Sequence, residues 1–125
     1  IHDHLNKDGL LLFDYRNGIP SLSSYSPTRV KWAKLGNKKI LRISENSIDK
    51  IKQLFYTKYT LIIFDESEPA QICYDKHIMQ YFFPLEIENY LTDSGFEIVD
   101  THPFLKRNTI PSENDWNILI VAKAI

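Results

Sequence analysis

Leu10-Leu11-Leu12-Phe13, running directly into Asp14-Tyr15-Arg16-Asn17-Gly18, is the stretch on which the fold turns. Four consecutive apolar residues without alternation suit a strand covered on both faces, as in a parallel sheet packed between helices, and they predict α/β architecture. The polar residues that follow fall at the carboxyl edge of that strand, where open α/β sheets place their ligands. Asp14, Arg16 and Asn17 are therefore the first candidates for ligand contact. Upstream, residues 1–5 read as the end of a helix, because Asn6-Lys7-Asp8-Gly9 supplies turn-forming residues and the glycine that commonly follows a last helical turn. Downstream, residues 19–27 are rich in Ser and Pro and read as a loop.

The middle of the chain changes character. β-prone stretches at 30–35, 39–44, 55–64 and 71–83 are separated by turn residues at Gly36-Asn37 and at 66–69, which predicts an antiparallel meander. Ile48, Ile51, Leu54 and Phe55 also fall at helical spacing after Ser47, a competent N-cap, but strand is the preferred reading there. Residues 84–94 read as a helix, with Pro84 in the first turn, Glu86 and Glu88 near its positive end, and Gly95 just past it. Ile87, Leu91 and Ser94 share one face of that helix. A short strand at 96–99, a polar loop at 101–115 and a last strand at 116–124 close the chain as a hairpin-like pair.

With 43% hydrophobic and 25% charged residues, the 125-residue chain has the composition of an ordinary folded domain. Its net charge of −1 gives no global attraction to nucleic acid or anionic membrane. No apolar run approaches the roughly 20 residues that span a bilayer. A single cysteine, Cys73, excludes an internal disulfide and a cysteine-rich zinc site and fits a reducing compartment, so the cytoplasm is the expected location. Ile1 in first place and Met79 as the one methionine lead us to expect a piece of a longer polypeptide.

Three segments together resemble the carboxyl-terminal half of a class I S-adenosylmethionine-dependent methyltransferase. His4-Leu5-Asn6-Lys7-Asp8-Gly9-Leu10-Leu11-Leu12-Phe13-Asp14 is similar to that family's helix, tight turn and fifth strand. Tyr81-Phe82-Phe83-Pro84-Leu85-Glu86-Ile87-Glu88, with Leu91 and Ser94-Gly95-Phe96-Glu97-Ile98-Val99, is similar to its last helix and sixth strand. Residues 116–123 stand where its antiparallel seventh strand would be. The resemblance implies the C-terminal part of a Rossmann-like methyltransferase sheet carrying an inserted antiparallel β meander. In those terms, residues 1–18 are the helix end and sheet strand, 28–83 the inserted strands on the substrate side, and 84–125 the last helix and closing strand pair. All lie within one domain or fragment, 1–125.

The family implies S-adenosylmethionine as cofactor and a small-molecule methyl acceptor as partner. It holds the cofactor mainly through a glycine-rich loop after the first strand and an acidic residue ending the second, and no stretch of this sequence matches either. Gly9, Gly18, Gly36 and Gly95 are too far apart to build such a loop. The expectation is a substrate-side half that is inactive alone, with the cofactor bound by a missing N-terminal half. The rival expectation is a non-catalytic methyltransferase-like or binding module that recruits a protein partner through the meander.

Methyl transfer asks the protein mainly to position an acceptor and sometimes to accept its proton. Arg16 suits a bidentate clamp on a substrate carboxylate or phosphate, against the plainer alternative of a surface pair with Asp14 or Asp65. His77, two residues after Asp75, suits a general base beside a carboxylate, against the alternative that Asp75, His77 and Met79 merely share a strand face. The resemblance carries the substrate contacts to Asp14, Arg16, Asn17 and Asp75, and catalysis to His77. His2-Asp3-His4 lacks a third ligand for a metal, and no metal is expected. The seven tyrosines, with Trp32, are packing residues or the lining of a pocket. The basic stretch Arg29, Lys31, Lys34, Lys38, Lys39 and Arg42, interleaved with Trp32, is either the solvated face of an edge strand or, if Arg29 and Lys31 share a face, a site for an anionic substrate or an RNA backbone. Asp65-Glu66 with Glu68 is most simply a charged turn.

Overall fold

A computed structural model describes residues 1–125. The chain divides into two compact units: Ile1–Ser24 with Tyr81–Ile125, and Tyr25–Gln80. The elements in chain order are β1 (Leu10–Asn17), α1 (Gly18–Ser23), β2 (Thr28–Leu35), β3 (Lys38–Asp49), β4 (Leu54–Asp65), β5 (Glu68–Phe82), α2 (Pro84–Asp93), β6 (Phe96–Pro103) and β7 (Asn117–Ala124). Parallel and antiparallel neighbours both occur, so the architecture is the mixed, partial Rossmann-like sheet with a meander that the sequence predicts.

In the first unit β7 lies between β1 and β6, antiparallel to both, with Leu10 opposite Lys123 and Phe96 opposite Ala124. Parallel pairing is confined to the end of β1, where Arg16 and Asn17 face Tyr81 and Phe82, the last two residues of β5. One sheet face is covered by α2. Its Ile87 and Leu91, one turn apart, join Tyr15, Phe96, Ile118, Ile120, Ala122 and Ala124 in the buried cluster. Pro84 opens α2, the Phe83 N–H donates to Glu86 Oε2 at 3.2 Å, and Gly95, at φ 81°, turns the chain out in a conformation that favours glycine.

Three expectations need correcting here. The Leu10-Leu11-Leu12-Phe13 strand is covered on one face only: Leu10 and Leu12 are 55% and 60% exposed, since no element of residues 1–125 packs over that side. Residues 19–27 are not all loop, because Asn17 starts α1 by accepting from the Ile19 N–H at 3.2 Å. Pro20 lies in the first turn, where no backbone donor is required. Finally, β6 runs on to Pro103, paired with β7 through a bulge near Val99.

The second unit is the expected antiparallel meander, β2-β3-β4-β5. Gly36, at φ 59°, opens the two-residue turn between Leu35 and Lys38. The ambiguous segment is strand-turn-strand: β3 runs to Asp49, whose Oδ1 accepts from the Ile51 and Lys52 N–H groups at 3.0 Å, and β4 starts at Leu54. No helix is long and apolar enough to cross a membrane.

Tyr15, 6% exposed in the first unit's core, gives a pH prediction. Burial pushes its hydroxyl from 10.0 up to about 12. A folded-state value above the unfolded one means a stabilising contribution that is complete below pH 10 and is lost as the pH rises toward 12. The loss is about 2–3 kcal/mol. Urea midpoints measured from pH 9 to 12 should therefore fall more steeply for the wild type than for Tyr15→Phe, and parallel curves would contradict the burial.

Candidate functional site

The five candidate residues fall in two places. At the carboxyl end of β1, Asp14 is exposed and its Oδ2 accepts from Asn117 Nδ2 at 3.2 Å. Arg16 is half-buried, with its guanidinium carbon 4.9 Å from the centre of the Trp116 ring. Asp65, in the second unit, makes an ion pair with Lys38 at 3.8 Å. Asn17 is 1% exposed, and both ends of its amide are used. Its Nδ2 donates to the Asp115 carbonyl at 3.0 Å, while Oδ1 caps α1. Asn17 thus ties the end of β1 to the loop that leads into Trp116.

That loop is tied down locally. The Asp115 carboxylate accepts from the Ser112 N–H and hydroxyl, both at 2.8 Å, and these bonds, with Lys106 at 3.5 Å, hold its carboxyl below the ordinary range. Trp116, Asn117, Phe104 and Lys106 line a shallow cleft of about 260 Å³ beside it. Trp116 and Asn117 went unrecognised in the sequence, where they read only as the start of a strand.

In the second unit, Asp75 and His77 stand two residues apart on β5, with Asp75 Oδ2 and His77 Nε2 separated by 2.9 Å. The imidazole, and then the Lys76 N–H at 2.8 Å, hold the Asp75 carboxyl below the usual carboxylate range. The Tyr59 ring meets His77 edge-on at 5.2 Å. With Nε2 donating to the carboxylate, Nδ1 is left as a proton acceptor. Both side chains are more than half exposed. A groove of about 520 Å³ in the meander is lined by Tyr59 and Asp75 together with Glu45, Lys58, Thr60, Tyr74 and Lys76.

The tyrosines do not converge. Tyr15 and Tyr81 are buried, Tyr25 packs edge-on against Phe55, and Tyr74 and Tyr90 are exposed. Trp32 lies against Phe64, with ring centres 5.8 Å apart. The His2 ring packs on Phe96, and no group of three or more His, Cys, Asp or Glu side chains is placed to hold a metal ion.

The whole chain has the fold of half of a class I methyltransferase, in the element order of the carboxyl-terminal half. An S-adenosylmethionine-dependent methyltransferase from Clostridium acetobutylicum superposes with a TM-score of 0.76 at 17% identity, over 98% of this chain and 47% of the other. The CcbJ methyltransferase from Streptomyces caelestis matches at 0.67 and 16%, over 99% and 50%. CalS10, an amino pentose methyltransferase from Micromonospora echinaspora with S-adenosylmethionine bound, matches at 0.69 and 11%, over 99% and 47%. The chain therefore spans about half the length of the solved structures it matches. No protein-family model matches the sequence, and no curated protein sequence does.

The residues present do not fit S-adenosylmethionine as a site of their own. A cofactor cradle needs glycines whose missing side chain leaves room for the ligand. At Gly18 a Cβ would lie 2.8 Å from the Phe83 ring, and at Gly9 it would lie 2.8 Å from the Asn6 carbonyl oxygen, so protein already fills both places. Gly36 and Gly95 serve a hairpin turn and a helix end.

Proposed function

We propose that this chain is the acceptor-side half of an S-adenosylmethionine-dependent methyltransferase that acts on a small molecule in the cytoplasm. The superposition of nearly the whole chain on about half of several such enzymes carries the reading. The cofactor is held by residues outside 1–125, and the chain alone is inactive. Its own contribution is to bind and orient the acceptor. In the first unit Asp14 and Arg16 are the acceptor-binding candidates, with Asn17 positioning the loop behind Arg16; in the second, His77, oriented by Asp75, is the candidate base for the proton that the attacking atom releases.

Calorimetry with S-adenosylhomocysteine tests this. The 125-residue chain should give no saturable heat. The polypeptide read from the gene with the codons upstream of Ile1 should bind one equivalent. If that longer polypeptide binds none, the enzyme reading fails. The remaining reading would be a methyltransferase-like module that recruits a protein partner, a reading favoured by Val30, Trp32, Ile72 and Tyr74, each more than half exposed on one face of the meander.

A further inference from the structure

The register of the meander gathers the basic stretch in a way the sequence does not show. Lys31 lies directly opposite Arg42 in the β2–β3 ladder, and Arg29 lies opposite Ser44. Cross-strand partners and alternate residues share a face. Arg29, Lys31 and Arg42 therefore lie on the face that carries Tyr59, Asp75 and His77. All three cations are exposed, and none takes part in any of the chain's ion pairs. The one nearby carboxylate on that face, Asp75, is engaged by His77.

Like charges set directly opposite each other weaken a ladder. Lysines on an edge strand are commonly kept because they discourage pairing with other chains, which would account for β2. It does not account for Arg42, which sits on β3 with β2 on one side and β4 on the other. The Arg42 guanidinium is held 5.7 Å from the centre of the Tyr59 ring, whose other neighbour is His77. Same-face neighbours stand about 7 Å apart along a strand and about 5 Å apart across one, so the three long cationic side chains start close enough together to reach one phosphate or diphosphate.

We propose that Arg29, Lys31 and Arg42 form a binding site for the phosphoryl group of a small-molecule phosphate ester or diphosphate. One carboxylate would satisfy a single guanidinium fork, whereas three cations from two strands match the several oxygens of a phosphoryl group. A nucleic-acid backbone calls for a longer basic track with stacking platforms, and the remaining exposed side chains on β5 of this face include Asp75. The site stands whether or not the chain serves methyl transfer, and its test reads binding alone.

Amide spectra of the 125-residue chain are recorded during titration with phenyl phosphate, pyrophosphate, inorganic phosphate and a uridine octanucleotide at constant ionic strength. Phenyl phosphate and pyrophosphate should give saturable shifts at residues 29–31 and 42–44. Arg42→Ala and Lys31→Ala should each weaken binding about tenfold. Their dispersed spectra serve as the check on folding. Without ligand at low salt, Lys31→Ala should melt higher than the wild type, because it relieves the repulsion. Unchanged affinity in Arg42→Ala overturns the site. Inorganic phosphate binding as tightly as phenyl phosphate overturns the ester assignment, and tighter binding of the octanucleotide overturns the small-molecule one.

Discussion

Phe96→Ala should remove about 3–5 kcal/mol of unfolding free energy, the range for truncating a buried aromatic residue in a core. A domain of ordinary stability has about 5–15 kcal/mol in all, so the variant should be largely unfolded in urea that the wild type tolerates. Phe96 is 4% exposed and belongs to the cluster that joins α2 to the sheet of the first unit. The position cannot drift to close the hole. Gly95 fixes the backbone before it at φ 81°, the ladder holds it opposite Ala124, and the His2 ring meets it edge-on at 5.3 Å. Phe96→Leu keeps most of the volume and should cost less than about half as much. Val99→Ala, at a position 57% exposed on the same strand, should stay within about 0.5 kcal/mol of wild type. Circular dichroism in urea measures all three, and equal midpoints for Phe96→Ala and Val99→Ala would show that the cluster is not what holds the unit together.

Several elements are legible in the sequence because a local signal and the tertiary structure agree. Pro84, Glu86 and Gly95 bracket α2 whatever packs against it, and Gly36-Asn37 makes a hairpin from neighbouring strands of alternating residues. The run Leu10-Leu11-Leu12-Phe13 is legible in a different sense. It describes a strand built to be covered twice, whereas residues 1–125 cover it once, leaving Leu10 and Leu12 exposed. Hydrophobic pattern reports the environment a strand is suited to, and this chain supplies half of it.

The candidate site is less legible, and the reason is long-range pairing. Asn17 sits at the end of a strand and looks ligand-facing, but its amide is spent on Asp115, 98 residues away in the chain. Trp116 joins Arg16 only because β1 and β7 pair antiparallel with Arg16 opposite Asn117. Tyr59 is one tyrosine of seven until the register of β4 places it between Arg42 and His77. Asp75 and His77, by contrast, lie two apart on one strand, so alternation alone puts them on one face.

That pair carries the largest functional prediction. In a methyltransferase containing this chain, His77→Asn should lower kcat about a hundredfold, the lower end of what a positioned base contributes, because water reaches both side chains. The expectation rests on the proposed role of the pair. Asp75, whose carboxyl is held low by its hydrogen bond to the imidazole, would fix Nε2 and leave Nδ1 to take a proton from the acceptor. The same carboxylate would stabilise the imidazolium that forms. Asp75→Asn keeps the shape and removes that charge, so its loss should be smaller, about tenfold. Because His77 is open to solvent, free imidazole should restore part of the activity of His77→Ala and none of that of Arg16→Ala. A change confined to KM, with kcat intact and no rescue by imidazole, would assign His77 to acceptor binding instead.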